Sequence, residues 1–183
     1  MAMNEEPSQI RLLGPADKDQ FWALRLRALK EEPHAFGASY DEALETTDSE
    51  IEKRLTASSD SFVLGAFNPQ LVGMIGFYRR GGKKLRHKGN IWGMYVAGEG
   101  RGLGLGRALL SETIVRASKL PGLSHVTLSV VTSNEAAVSL YESQGFQTYG
   151  IESAALQVDN QLLDELLMSL TVSSDQTYSG LLL

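Results

Sequence analysis

A glycine-rich segment, VAGEGRGLGLGRALL (residues 96–110), combines residue types that bind anions. Gly102, Gly104 and Gly106 alternate just before an apolar helical pattern, and Arg101 and Arg107 flank them. The first N–H groups of a helix lack backbone partners and carry partial positive charge, and glycines let an anion approach them closely. The two arginines add charge-assisted hydrogen bonds. The segment therefore predicts a phosphate site, and in particular a pyrophosphate site.

The common nucleotide-binding fingerprints do not fit this segment. The dinucleotide pattern G-x-G-x-x-G would place its third glycine at Arg107 when counted from Gly102, and at Leu105 when counted from Gly100. A P-loop needs Gly-Lys-Ser/Thr, whereas Gly106 is followed by Arg-Ala. A protein of another family that binds ATP or NAD is therefore less favoured than the two hypotheses for function given at the end of this subsection.

The residues before the glycine segment form one strand pattern and two helix patterns. Ile10–Leu13 has the pattern of a short first strand. A helix over Asp17–Glu31 follows, with Asp17 and Gln20 as a capping box at its start, and a second capping box opens a helix over 47–57.

Strand and helix patterns alternate in the rest of the chain. The strand patterns lie at 61–67, 71–78, 90–96 and 125–131, and the helix patterns run from the glycine segment to Lys119 and from Thr132 to Ser143, where Gly145 ends the helix. The C-terminal part is ambiguous: LLDELLMSL (162–170) has helical periodicity, whereas Asp159-Asn160 favours a hairpin turn.

This order of elements predicts a mixed α/β (α+β) fold in which helices pack on a mostly antiparallel sheet. The sequence has no internal repeat and no low-complexity linker. We therefore expect a single domain over residues 1–183, with its core at about 9–171 and a frayed tail at 172–183.

Composition limits the classes of partner and site. The 183 residues carry a net charge of -5, so nucleic acid and anionic membranes are not expected partners. No apolar run approaches the roughly 20 residues of a membrane helix, and the N-terminal residues lack the pattern of a secretory signal. The absence of cysteine excludes disulfides, thiolate metal sites and a cysteine nucleophile, and it is compatible with the cytoplasm, where we expect the protein.

One segment, Arg79–Lys88 (RRGGKKLRHK), departs from the acidic balance with six Lys and Arg residues in ten. A charge run split by glycines is typical of a solvated loop. The alternative is a local positive field for the phosphates of a polyanionic ligand or for an acidic acceptor.

Two blocks of the sequence resemble the GNAT superfamily of N-acetyltransferases. RGLGLG (101–106) is similar to that family's R/Q-x-x-G-x-G/A signature, and NEAAVSLYESQGF (134–146) to its N-x-x-A-x-x-x-Y-x-x-x-G-F block. The strand ending at Met94-Tyr95-Val96 also fits. The stretches at 31–43 and 155–170 resemble a bacterial branch of the family. The resemblance covers about residues 9–171 in element order.

The resemblance implies the GNAT-type acyl-CoA N-acyltransferase fold, with a central sheet whose strands splay apart and strands rather than a helix at the C-terminus. It implies acetyl-CoA as co-substrate and no metal. The residues it assigns to acetyl-CoA are Met94, Tyr95, Val96, Arg101, Gly102, Leu103, Gly104, Leu105, Gly106, Arg107 and Asn134. The glycine segment would hold the pyrophosphate, and the pantetheine arm would lie between the strand ending at Val96 and the strand around 128–130. Tyr141 would protonate the thiolate that leaves.

The sequence departs from the family pattern at the general base. Many members carry a glutamate on the strand before the glycine turn, whereas Lys88–Val96 contains no carboxylate. A water chain, Glu32, Glu152 or His34 remain as alternatives, and we expect Glu99 to lie too far from the thioester.

The resemblance leaves two hypotheses for function. The first is an N-acetyltransferase that moves acetyl from acetyl-CoA directly to a primary amine of a small molecule, peptide or protein, in an assembly that is often a homodimer in the family. The second is a catalytically inactive acyl-CoA-binding sensor or regulatory module. Phe36, Tyr40 and Trp92 either line an acceptor pocket or belong to the core.

Overall fold

The computed structural model describes residues 8–172, and a seven-stranded sheet forms their framework. The strands are β1 (Gln9–Leu12), β2 (Ser61–Phe67), β3 (Leu71–Arg79), β4 (Lys88–Val96), β5 (His125–Val131), β6 (Gln147–Val158) and β7 (Gln161–Thr171). Their order across the sheet is β1-β2-β3-β4-β5-β7-β6, and only the β4–β5 pair is parallel. The predicted mostly antiparallel α/β architecture is confirmed.

Within residues 8–172, five α-helices surround the sheet. They are α1 (Lys18–Glu31), α2 (Tyr40–Leu44), α3 (Asp48–Leu55), α4 (Leu105–Ser118) and α5 (Glu135–Ser143). Two consecutive side chains of β4 show on which face of the sheet α1 and α5 lie. Met94 contacts Tyr141 on α5, whereas the next residue, Tyr95, donates a hydrogen bond to Glu31 on α1. Successive side chains of a strand point to opposite faces, so α1 and α5 lie on opposite sides of β4.

The parallel strands β4 and β5 pair at one end only. Their register joins Lys88 with His125, Gly89 with Val126 and Asn90 with Thr127, and the strands then diverge. Thr127 Oγ1 lies 3.0 Å from the Gly89 carbonyl oxygen and 3.1 Å from Asn90 Oδ1. This hydroxyl therefore links the two strands at their paired end. A bulge at Gly93–Met94 interrupts the pairing of β4 with β3 just beyond this point. The splayed strands implied by the resemblance are therefore present.

The ambiguity over the C-terminal part is settled in favour of strands. Asp159 and Asn160 have φ angles of 48° and 63°, the left-handed geometry of a two-residue hairpin turn between β6 and β7. The helical periodicity of 162–170 was misleading, because β7 pairs with β6 over residues 161–169 and with β5 over residues 165–171. The expected frayed tail lies, apart from Val172, outside the described residues.

The start of α1 differs from the predicted capping box. Asp17 makes no side-chain cap, because its carboxylate accepts two hydrogen bonds from Arg11 at 2.9 and 2.7 Å and one from the Gly14 N–H at 2.9 Å. A short 3-10 turn, Pro15–Asp17, precedes the helix instead. The second predicted box is confirmed, since the Thr47 and Glu50 side chains cap α3 reciprocally.

The short helix α2 was not predicted, although it has a cap signature of its own. The Ser39 hydroxyl accepts from the Glu42 N–H, and the Glu42 carboxylate accepts from the Ser39 N–H. Its five residues are too few for a helical period to stand out. Within residues 8–172, no helix has the length and apolar character needed to cross a bilayer.

The Arg11–Asp17 pair leads to a pH-dependent prediction. Its hydrogen bonds lower the pKa of Asp17 in the folded state, so its stabilisation is present above the unfolded pKa of about 3.9 and is lost as the pH falls through the folded value. Asp17→Asn should lower the free energy of unfolding by about 1 kcal/mol at pH 7. Urea unfolding between pH 7 and pH 3 should show this difference shrinking. The exposed Asp19→Asn should change little at any pH, and a loss at Asp17 that is independent of pH would contradict the role of the ion pair.

Candidate active site

A cavity of about 720 Å³ opens where β4 and β5 separate. Its walls include eleven of the sequence-predicted site residues: Met94, Tyr95, Val96, Arg101, Gly102, Gly104, Leu105, Gly106, Arg107, Asn134 and Tyr141. Leu103 lies in the same turn but is exposed and outside the lining. The glycine turn and the tyrosine of the second sequence block, far apart in the chain, thus share one cavity.

The glycine turn presents free N–H groups at one end of this cavity. Gly102 and Gly104 have φ angles of 78° and 75°, a left-handed backbone that glycine adopts without the penalty of a Cβ. The first bond of α4 runs from the Ala108 N–H to the Gly104 carbonyl, 3.0 Å. The N–H groups of residues 105–107 therefore have no partner inside the helix and are available to an anion.

The Arg101 side chain links the glycine turn to β4 and to Glu32, and part of it remains exposed. Its Nε donates to the Val96 carbonyl oxygen at 2.9 Å, and its Nη2 donates to Glu32 Oε1 at 2.8 Å. The Arg101 side chain is 53% exposed, so the guanidinium remains open to a ligand at the cavity mouth. On the other side of the turn, Arg107 Nη2 donates to Ser143 Oγ at 3.2 Å.

The side chain of Tyr95 belongs to a charged network on the α1 face. Its phenol donates to Glu31, and burial together with that carboxylate raises the pKa of Tyr95 to about 12. Arg27 donates one hydrogen bond to Glu31, 2.8 Å long, and two to Glu99, 2.6 and 2.9 Å long. The bonds from Arg27 lower the pKa of Glu99 to about 2. Glu99 is therefore a paired, ionised carboxylate, and it is not part of the cavity lining.

Tyr141 is buried on the opposite face of β4. Its hydroxyl donates to the Met94 sulfur at 3.5 Å, and its ring packs edge-on against Phe146 at a centroid distance of 5.9 Å. Burial raises the pKa of Tyr141 to about 12, so the phenol keeps its proton throughout the neutral range. A thioether is a weak acceptor, and the hydroxyl can exchange it for a better one at low cost.

Asn134 is the N-cap of α5. Its Oδ1 accepts from the Ala137 N–H at 3.2 Å. The same side chain lines the cavity, so its predicted contact with a ligand is compatible with the cap.

The candidate bases and acceptor-pocket residues separate into two groups. Glu32, His34 and Phe36 line the cavity, whereas Glu152 and Tyr40 do not. Trp92 lines a narrower cleft between β4 and β5 that adjoins it. Residues 8–172 contain no cluster of three or more metal-ligating side chains.

The basic segment 79–88 lies outside the cavity lining. Arg86 pairs with Asp60 at 3.0 Å, and Arg79 donates to the backbone carbonyls of Arg86 and Pro121. These contacts use two of its six cationic side chains to hold the loop against the end of the sheet.

Two residues near the site were missed from the sequence, Arg25 and Glu31. Arg25 is buried at the centre of α1, and Glu31 accepts from Tyr95. A signal existed for Arg25, because it lies four residues after Phe21 on the helix face that also carries Leu24 and Ala28. No pattern marks Glu31, whose role depends on a tertiary contact.

Comparisons with known proteins agree with this fold. The family model described as "Acetyltransferase (GNAT) family" matches residues 17–146. The chain is 31% identical over 161 residues to a mycothiol acetyltransferase from Acidothermus cellulolyticus, with coverage of 79% of this chain and 46% of that protein. It therefore spans about half the length of that relative.

Two solved structures are similar over nearly the whole chain. One is an acetyltransferase of the GNAT family from Streptococcus pneumoniae, with a TM-score of 0.82, 27% identity, and coverage of 91% of this chain and 100% of that one. The other is yncA from Salmonella typhimurium with its cofactor acetyl-CoA, with a TM-score of 0.76, 22% identity, and coverage of 97% and 100%. The chain belongs to the GNAT family.

The cavity geometry allows a matched test of the phosphate site. A Cβ on Gly106 would lie 3.5 Å from both Met94 Cε and Leu140 Cδ2 in the cavity wall, whereas one on Gly98 would meet no atom within 4 Å. Gly106→Glu should weaken acetyl-CoA binding about 100-fold in calorimetry, because like charges placed together cost several kcal/mol. An acidic residue in the first turn of α4 is favourable to the helix, so folding should persist.

Gly98→Glu is the control, since it adds the same charge on the exposed side of the preceding 3-10 turn. It should bind acetyl-CoA within about threefold of the unchanged protein. Equal binding by both variants would contradict a pyrophosphate site at the turn.

Proposed function

We propose that this acetyltransferase moves the acetyl group of acetyl-CoA directly to the primary amine of its acceptor. The observation that carries the proposal is the single cavity that joins the free N–H groups of the glycine turn to the Tyr141 hydroxyl through the gap between β4 and β5. A ligand with a pyrophosphate at one end and a reactive thioester at the other matches this arrangement.

The open edge of β4 supports the placement of the pantetheine arm. Ladder pairing with β5 ends at Asn90 and Thr127, so the following backbone groups of β4 face the gap without strand partners. The two amides of a pantetheine arm would pair with these groups as an added strand does. The N–H groups at residues 105–107, with Arg101 and Arg107, would hold the pyrophosphate.

A backbone N–H of β4 near Tyr95 would polarise the thioester carbonyl. As the amine attacks, negative charge grows on that oxygen, and one well-placed donor is worth about 3 kcal/mol in such a step. The bulge at Gly93–Met94 supports this role, because a bulge frees backbone groups from the ladder with β3.

Tyr141 would supply the proton for the leaving group. The bond from the amine nitrogen to the acetyl carbon forms, the carbon–sulfur bond breaks, and the thiolate takes the phenolic proton. The amine nitrogen becomes positively charged as the new bond forms, and it then releases one proton to water in the cavity. That water returns a proton to the Tyr141 phenolate, which restores the phenol. The present hydrogen bond from Tyr141 to a sulfur, Met94 Sδ, supports a geometry in which the hydroxyl meets the thioester sulfur.

The amine must reach the thioester neutral, and His34 is the base candidate that we favour. Glu32 also lines the cavity, but it is paired with Arg101 at the pyrophosphate end. His34 lies two residues beyond it in the cavity wall and has no such ion pair within the described part of the chain. A water chain serves the same purpose if His34 does not.

The second hypothesis, an inactive acyl-CoA-binding module, is not favoured, because the relatives are acetyltransferases. A cytoplasmic location and assembly as a homodimer stay predictions.

The role of Tyr141 is tested by removing one oxygen atom. Tyr141→Phe should lower kcat about 100-fold or more, the usual contribution of a positioned acid, while the acetyl-CoA affinity stays within about twofold. Turnover on a panel of amines is measured by free CoA with a thiol reagent, and the protein itself contributes no background because it contains no cysteine.

Tyr149→Phe makes the same change at an exposed tyrosine of β6 and should leave kcat unaltered. If Tyr141→Phe also keeps its full kcat, Tyr141 is only an aromatic anchor of α5. If the unchanged protein binds acetyl-CoA but releases no thiol with any amine, the transfer reaction itself is contradicted.

A further inference from the structure

A buried guanidinium without a partner lies beside the active site. Arg25, in the middle of α1, is 6% exposed, and its Nη1 is the one buried side-chain nitrogen or oxygen atom among residues 8–172 that has no hydrogen bond. Buried polar groups are nearly always paired, and an unpaired buried charge is costly. The position therefore requires an explanation beyond packing.

The surroundings of Arg25 contain no compensating negative charge. The ring of Phe36 stacks on its guanidinium at 4.7 Å. Burial lowers the pKa of Arg25 to about 10, with a further contribution from repulsion by another arginine, Arg54 of α3. The side chain is still cationic at neutral pH. None of the ion pairs formed by the described residues includes it.

Arg25 is directed at the wall of the active-site cleft. Its Nη1 lies 3.4 Å from the point where a Cβ of Gly93 would stand, and both Gly93 and Phe36 line the narrow cleft between β4 and β5. Gly93 directly precedes Met94, the residue that holds the Tyr141 hydroxyl. The contact of Arg25 and the contact of the proposed catalytic acid thus fall on adjacent residues of β4.

The two contacts lie on opposite faces of β4, and this defines two approaches to the reaction centre. Tyr141 and the start of α4 line the α5 face, where acetyl-CoA would lie, whereas Arg25 and Phe36 belong to the α1 side. An acceptor that enters from the α1 side meets the cation of Arg25 just before its amine reaches the thioester. A carboxylate on that acceptor would supply the missing partner through a two-point, charge-assisted pair.

We propose that the acceptor is a small amine that also carries a carboxylate, and that Arg25 binds this carboxylate while the Phe36 ring turns aside. The proposal rests on the amine acetylation proposed above. Because Gly93 has no side chain, the Nη1 end of the buried guanidinium packs directly against the β4 backbone that lines the cleft, and the Phe36 ring covers its face until the acceptor arrives. Arg25 is then a specificity-determining residue that takes no part in proton transfer.

The kinetic test compares matched amines that differ only in the carboxylate. Alanine with alaninamide and β-alanine with β-alaninamide are assayed at equal concentrations of neutral amine, which removes the effect of the amide on the amine pKa. For at least one pair, kcat/KM should favour the carboxylate form about tenfold or more. Arg25→Gln should bring this ratio close to one, and Arg25→Lys should keep part of it.

Arg54→Gln is the matched control, because it removes a nearby exposed cation and should leave the ratio unchanged. Arg25→Gln removes an unpaired buried charge, so its unfolding temperature should equal or exceed that of the unchanged protein. A ratio near one in the unchanged protein, or an equal loss with both members of a pair in Arg25→Gln, would overturn the proposal.

A binding readout separates this proposal from the transfer reaction. The side-chain Nε–H signal of Arg25, assigned by its loss in Arg25→Lys, should shift in NMR spectra with alanine and CoA and should not shift with alaninamide and CoA. A shift without any turnover would retain the carboxylate site and contradict the proposed function. Turnover of amines without such a shift would contradict the carboxylate site and retain the function.

Discussion

The incomplete pairing of β4 with β5 is the constraint on which the rest of the site depends. Parallel strands normally continue their ladder, because each unpaired backbone group inside a protein costs free energy. Here the ladder stops after three residue pairs, tied by the Thr127 hydroxyl, and the exposed strand edges become the walls of a cavity. A ligand with its own amides would complete the hydrogen bonds that the sheet leaves open.

The glycine turn and the network around Arg101 fit this constraint because both lie at the end of β4. The turn follows β4 beyond the point where its pairing with β5 ends, and it starts α4 at the cavity. Arg101 bonds the last carbonyl of β4 and the carboxylate of Glu32 after α1, so one side chain joins the strand, the turn and the helix. The proposed anion site and the separation of the strands thus share one piece of structure.

Much of this arrangement could be predicted from the sequence, and the exceptions share a physical cause. The glycine turn, the Thr47 cap and strands β2 to β5 depend on local chemistry, which the sequence displays directly. Asp17 was assigned to the wrong partner because Arg11, on a different element, competes for its carboxylate. The helical period of 162–170 misled for the same reason, since pairing with two neighbouring strands outweighs local preference. Arg25 had a visible signal in the apolar face of α1, but its missing partner is apparent only in the folded chain.

Binding of acetyl-CoA in the gap between β4 and β5 is tested by an amide NMR titration of the labelled protein with acetyl-CoA. The largest shifts should fall on the N–H groups of residues 105–107 and on β4 beyond Asn90, with smaller changes in the paired segment 88–90. Shifts centred on the basic segment 79–88, or no shifts at millimolar acetyl-CoA in a folded sample, would contradict binding in the gap between β4 and β5.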